Sequence, residues 1–216
     1  MRVGILGSGL MGSKLGTLFA RAGHDVVFSY ARTKKKLEDL ARQAGHKALA
    51  GTPSDAARDA DALLLAVHWS RVDDVLKQAG DVSGKVIVTC SLPMSKDDAA
   101  LVVGLTSSGA EELAKKVREA RVVSAFSTIP SEVLFTKKKP LPSLVYCGDD
   151  ADAKGVVAQL VRDVGFEPVD AGPLRMARYT EPFSLLVAQL AYEGQKGPEV
   201  AYRFEWFTPS RTARRG

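Results

Sequence analysis

Gly7, Gly9 and Gly12 stand at GxGxxG spacing, directly behind the apolar run Val3–Leu6 and at the opening of a helical repeat marked by Leu15, Leu18, Phe19 and Ala22. The chemistry such a turn performs is phosphate binding. Gly7 permits the tight turn, Gly9 lets a pyrophosphate approach the backbone, and Gly12 lets the helix pack close to the strand. The backbone N–H groups of Ser8, Gly9, Leu10, Met11 and Gly12 then face an anion at the positive end of the helix dipole. Strand, glycines, helix and second strand follow one another within about 30 residues, the context that gives the motif its specificity.

A carboxylate that holds an adenosine ribose is expected about 20 residues beyond such a turn, near the end of the second strand. The chain has instead Phe28-Ser29-Tyr30-Ala31-Arg32-Thr33-Lys34-Lys35-Lys36. A carboxylate there would repel an added phosphate, whereas a guanidinium grips one through a forked, charge-assisted contact. Tyr30, Ala31, Arg32, Thr33 and Lys36 are therefore the expected cradle of a 2′-phosphate, and the expected cofactor is NADP(H). At least one of the three lysines is expected to be only the solvated face of a helix.

Ligands of open α/β sheets sit beyond the carboxyl ends of the strands. Those ends carry Val67-His68-Trp69, then Cys90-Ser91-Leu92-Pro93, then Phe126-Ser127-Thr128-Ile129-Pro130. They hold no Ser–His–Asp set, no paired carboxylates and no metal cluster, so no metal is expected. His68 reads as a cofactor contact or a packing residue, and Trp69 as a core or rim residue. Hydride transfer between two ring systems suits such a site, because it needs two carbons held roughly 3–3.5 Å apart rather than a proton shuttle. Cys90 and Cys147 fit no metal spacing and read as thiols of the core or of a pocket lining.

The elements that must position these residues read as alternating strands and helices, an α/β chain with a Rossmann-type, doubly wound, mostly parallel sheet. Strands are expected at Val3–Leu6, Val26–Ser29, Leu63–Val67, Val86–Thr89, Val122–Ala125 and Leu144–Cys147. Helices are expected near Thr33–Gln43, ending at Gly45, and near Ala151–Val164, ending at Gly165. Phe183, Leu186, Val187 and Leu190 mark a last amphipathic helix, in which Pro182 is either the start or a kink in a helix beginning near Leu174. Its broad apolar surface suggests packing on the main body or on a second subunit. A boundary near residue 148 would separate an NADP-binding domain, 1–148, from a small C-terminal α/β extension, 149–216, that completes the acceptor cleft.

Composition agrees with a globular protein: 216 residues, 45% hydrophobic, 25% charged and a net charge of +5. The apolar runs are too short to span a membrane. The run from Met1 lacks the apolar stretch of a secretory signal, so the cytoplasm is the expected compartment. The basic run Lys137-Lys138-Lys139 and the tail residues Arg211, Arg214 and Arg215 have no interleaved aromatics, which argues for solvated segments and against a nucleic-acid partner.

Three further stretches carry a resemblance. Val122–Pro130, Tyr146-Cys147-Gly148-Asp149-Asp150, and Asp170-Ala171-Gly172-Pro173-Leu174 with Arg178 resemble the coenzyme F-420-dependent NADP oxidoreductases. The resemblance runs from the glycine turn to about residue 206. It implies a homo-oligomer, expected as a dimer, and direct hydride transfer between NADPH and a deazaflavin. It further implies Val67, His68, Trp69, Ser91, Leu92 and Pro93 near the nicotinamide, and Ser127, Thr128, Ile129, Pro130 and Arg178 near the acceptor. Enzymes of that family known for deazaflavin activity commonly carry His where this chain has Ser127, so the expected acceptor widens from a deazaflavin, coenzyme F-420, to a related flavin-like compound or another small electron acceptor. Two other readings stay open: an NADPH-dependent imine or carbonyl reductase with Tyr179, Ser127 or His68 as proton donor, and an NADPH-binding redox sensor.

Overall fold

The computed structural model describes residues 1–45, 47–136 and 139–207. His46, Lys137, Lys138 and the basic tail at Arg211, Arg214 and Arg215 lie outside the described residues. The chain starts with β1 (Arg2–Leu6), α1 (Leu10–Arg21), β2 (Asp25–Ser29), α2 (Lys34–Ala44), β3 (Leu49–Ala50) and α3 (Pro53–Ala57). It continues through β4 (Ala62–Leu65), α4 (Val72–Ala79), β5 (Val86–Thr89), α5 (Gly109–Lys116) and β6 (Arg121–Ser124). It then adds β7 (Ser143–Gly148), α6 (Ala151–Asp163), β8 (Glu167–Asp170) and α7 (Ala177–Ala188).

The eight strands form one sheet in the order β3-β2-β1-β4-β5-β6-β7-β8. Every neighbouring pair is parallel except β6 and β7, which run antiparallel through only two registered pairs, Val123↔Gly148 and Ser124↔Cys147. This is the Rossmann-type α/β fold expected, with the C-terminal unit joined to the same sheet. The expected boundary at residue 148 falls at the end of β7, inside that sheet.

The strands read as continuous apolar runs because both faces are covered. Pleating sends Val3, Ile5, Val26, Phe28 and Leu64 into one core with Leu15, Phe19, Leu160 and Val161 of α1 and α6. It sends Leu6, Val27, Leu63, Leu65 and Ile87 into the other, with Val75 of α4 and Leu113 of α5. Each of the six expected strands matches its span to within two residues, and β3 and β8 are additional. β4 ends at Leu65 rather than Val67, freeing Ala66 and Val67 for the loop. Pro182 lies inside α7, behind a 3-10 turn at Leu174–Met176, so the element does begin near Leu174. The short elements β3, α3 and β8, and the eight-residue helices α4 and α5, have no clear periodic signature. Burial pushes the Cys90 and Cys147 thiols up to about 12, in keeping with inert structural cysteines.

Candidate active site

The order β2-β1-β4 makes the crevice. The chain leaves β1 outward to β2 and β3, then returns to β4 on the other side, so the loops after β1 and β4 part and leave a groove between them. A cleft of about 1140 Å³ lies there, lined by Gly7, Ser8, Gly9, Tyr30, Ala31, Arg32, Lys34, Lys36, Gly51, Thr52, Asp55, Val67, His68, Arg71 and Gln78 among others. It exceeds the ~300–1,000 Å³ usual for drug-sized ligands, in keeping with an extended one.

The glycine turn forms its floor. Gly7 has φ 117°, and a Cβ on it would meet the Ala66 carbonyl oxygen at 2.4 Å. A Cβ on Gly12 would fall 1.8 Å from the Gly7 carbonyl oxygen, so α1 packs against the turn at a distance only glycine allows. At Gly9 a Cβ would meet nothing within 4 Å. The direction a side chain would take there is open, so a ligand can approach the backbone. Gly9 caps α1 with no side-chain hydrogen bond, which leaves the first N–H groups of the helix to a ligand. Ser8 is buried, and its hydroxyl donates to the Ser29 carbonyl at 2.8 Å, tying the turn to β2.

The tip of β2 forms one wall. Tyr30 takes a left-handed backbone, φ 57°, while its carbonyl accepts from the Ser8 N–H at 3.2 Å. Its phenol donates to Asp74 of α4. Burial first, and then this carboxylate, push the Tyr30 phenol up to about 12, and the same bond holds the Asp74 carboxyl below its usual range. Arg32 is exposed and forms no ion pair among the described residues. Lys34 pairs with Glu38 at 3.4 Å, Lys36 faces the cleft, and Lys35 does not, as expected of a solvated face. Thr33 caps α2 by accepting from the Lys36 N–H at 3.3 Å, so its hydroxyl has a structural task. Asp55 is the one carboxylate among the described lining residues. It is spent on the capping box with Thr52 and on an ion pair with Arg58 at 3.0 Å, and those bonds, the Thr52 N–H first, hold it below its usual range.

The opposite wall follows β4 and β5. Ser91 is buried, and its hydroxyl donates to the Val67 carbonyl at 2.7 Å, joining the two loops. The Ser70 N–H donates to His68 Nδ1 at 3.2 Å, leaving Nε2 to carry the proton toward the Asp98 carboxylate at 3.2 Å and the Ser95 carbonyl at 3.3 Å. Both ring nitrogens are thus engaged by the protein. Trp69 packs on the second core, the core-or-rim position expected of it.

The structure brings Gly7, Ser8, Gly9, Tyr30, Ala31, Arg32, Lys36, Val67 and His68 to one cleft, with Leu10, Met11 and Gly12 opening α1 beside it. Thr33, Trp69, Ser91, Leu92 and Pro93 are not among the lining residues, and Ser91 reaches the cleft only through its bond to Val67. Ser127 is half-buried, whereas Thr128, Ile129 and Pro130 are buried. Thr128 bonds the Tyr202 hydroxyl at 2.7 Å and Ile129 belongs to the first core. Arg178 is held by Glu111 through two bonds of 2.8 and 2.6 Å. Arg71 and Gln78 escaped the sequence reading although both line the cleft. Arg71 lies only two residues past Trp69, at the end of the 3-10 turn Trp69–Arg71.

Comparison with known proteins bears on this arrangement. Residues 2–93 match the family described as NADP oxidoreductase, coenzyme F420-dependent. The matched span holds the glycine turn, the β2 tip, the loop after β4 and the start of the loop after β5 as far as Pro93. The chain is 29% identical over 185 residues to the rat (Rattus norvegicus) metalloreductase STEAP3, covering 85% of this chain and 36% of that protein. It is 26% identical over 199 residues to the mouse (Mus musculus) metalloreductase STEAP2, covering 92% and 38%. The chain therefore spans little more than a third of the length of these relatives. Among solved structures, a candidate F420-dependent NADP-reductase of Arthrobacter sp. FB24 superposes with a TM-score of 0.84 at 20% identity, covering 95% of this chain and all of that one. A reductive aminase of Aspergillus terreus in complex with NADPH gives 0.66 at 21%, covering 87% and 60%. Both are likenesses of fold. Among the described residues no group of His, Cys, Asp or Glu is arranged to hold a metal, and no helix is long and apolar enough to cross a membrane.

Proposed function

We propose that the chain carries out direct hydride transfer between NADPH and a deazaflavin, coenzyme F-420, or a related flavin-like acceptor. The observation that carries this reading is the pairing of an open glycine cradle with cations where a ribose-binding acid would stand. Gly9 leaves room for a pyrophosphate, and Arg32, Lys36 and Arg71 line the adjoining cleft. These residues fit a nucleotide bearing a 2′-phosphate. Bound NADPH supplies the hydride. The chain's own part is to hold the two rings in register and keep water out, with Val67, Ser91 and Pro93 at the nicotinamide end and Ser127 at the acceptor.

The shortage of free acids and bases supports an acceptor that needs no proton from the protein. His68 has both nitrogens engaged, and the Tyr30 phenol is pushed up to about 12. Reduction of an imine or carbonyl calls for a positioned donor. Tyr179 and Ser127 are the remaining candidates, and Tyr179 is 65% exposed, with no enclosure to align it.

The reading also includes a homo-oligomer, a dimer, supported by the exposed Leu186 and Leu190 on α7 and its π-turn extension and testable by light scattering. The decisive experiment follows loss of NADPH absorbance with a deazaflavin, free flavins, a transition-metal chelate, cyclic imines and ketones in parallel. Turnover confined to the deazaflavin and flavins is expected. Turnover of imines or ketones alone would establish the reductase alternative. Tight NADPH binding without turnover of any acceptor would establish a sensor.

A further inference from the structure

Glu181 of α7 is a buried carboxylate, 2% exposed, whose oxygens face backbone rather than a cation. Its Oε2 accepts from the Gly109 N–H at 2.9 Å and its Oε1 from the Ala110 N–H at 3.0 Å, at the first turn of α5. That helix already has a local cap, since Ser108 Oγ accepts from the Glu111 N–H at 3.2 Å. Burying an ion to supply a cap from 71 residues away costs far more than a local side chain would. The position of α5 must therefore matter beyond the helix itself.

Its first residue stands against the site. A Cβ on Gly109 would lie 2.9 Å from Pro93 Cδ, so the start of α5 and Pro93 are in direct contact. Two residues before Pro93, Ser91 Oγ donates to the Val67 carbonyl, and Val67 lines the cleft. The chain of contacts runs Glu181, Gly109, Pro93, Ser91, Val67.

We propose that Glu181 is a positioning residue that sets the Ser91–Pro93 turn from the C-terminal helix, and that its ionisation tightens the nicotinamide end of the cleft. The inference rests on the functional reading above. The ionised group accepts both N–H bonds with charge assistance, whereas a protonated carboxyl offers one of them only a hydroxyl oxygen, a poorer acceptor, and that bond weakens. Burial, opposed by the Gly109 and Ala110 N–H groups, pushes Glu181 up to about 7, so both forms are populated near neutrality. The charged and titratable groups around it are Glu111 of α5, Arg178 of α7, which is already paired with Glu111, and the Cys147 thiol of β7.

Amide hydrogen exchange on the full chain without nucleotide, corrected for intrinsic rates and run at about pH 6 and about pH 8, tests this directly. Exchange at 89–96 and 105–112 should rise about threefold or more at the lower pH, against no rise in β1. Glu181→Gln, which keeps one acceptor but cannot ionise, should hold both segments at the faster level at both pH values. In turnover the variant should lose kcat and its pH step near 7, while the ratio of NADPH to NADH affinity stays that of the wild type. An effect confined to 105–112, with 89–96 unmoved, would overturn the proposal and leave Glu181 a helix cap. If neither protein binds NADPH, the cofactor reading fails, while the exchange comparison still decides the role of Glu181.

Discussion

Arg32 and Gly9 make opposite kinds of claim about the same nucleotide, one by charge and one by emptiness. Replacing Arg32 by Asp restores the acid that the β2 tip lacks, so it should weaken NADPH binding about tenfold or more while sparing NADH, as loss of a charge-assisted fork implies. Equal losses for both nucleotides, measured by titration calorimetry, would remove Arg32 from the 2′-phosphate. Gly9→Ala adds a methyl into open space, so the protein should keep its Tm yet lose about tenfold or more in NADPH affinity. Gly12→Ala drives the same methyl against the Gly7 carbonyl, and overpacking of that kind costs about 1–3 kcal/mol or more. It should lower Tm as well as binding, and a thermal melt beside a binding curve separates the two glycines.

At the scale of elements, the βαβ run through β1, α1 and β2 was legible because three signals coincide there: an apolar run, a glycine pattern and helical spacing. The long helix α6 was legible for the same reason, with Asp150 as its cap. The helices α4 and α5 were not. Each has eight residues and buries only three of them, too few to establish a period. What the reading missed in the site follows from this. Arg71 precedes α4, Gln78 belongs to it, and Asp74 enters only because a folded Tyr30 reaches across to it. No spacing rule connects residues 30 and 74. The same holds for Arg178, whose partner Glu111 is 67 positions away. The glycine turn and the β2 tip were visible in the order of residues, while the far wall of the cleft depended on where short helices come to rest.

For the molecule as a whole, Glu181 gives stability an unusual dependence on pH. Its folded value lies near 7, above the ordinary 4.5, so between these values the native state holds more protons than the unfolded chain. Stability from this group is full below about 4.5, falls as pH rises, and levels off above about 7, by a total on the order of 3 kcal/mol. Carboxylates held low, such as Glu111, contribute in the opposite direction. Comparing denaturation of the wild type with that of Glu181→Gln isolates the effect. The wild type should be the relatively better of the two in acid and lose that advantage by about pH 8. A constant difference across this range would show that Glu181 ionises like an exposed acid.

The junction of β6 and β7 has a mechanical consequence. A ladder of two rungs cannot hold the last βαβ unit to the rest, so side chains must do it: α6 lies across the seam, with Asp163 bound to His24 at 2.9 Å and Leu160 in the shared core. A cavity made by Leu160→Ala, a change worth about 2–5 kcal/mol, should therefore release amide protection in β7 and β8 well before β1 responds. The sheet would come apart at that joint like a hinged panel, leaving the half with the glycine turn intact.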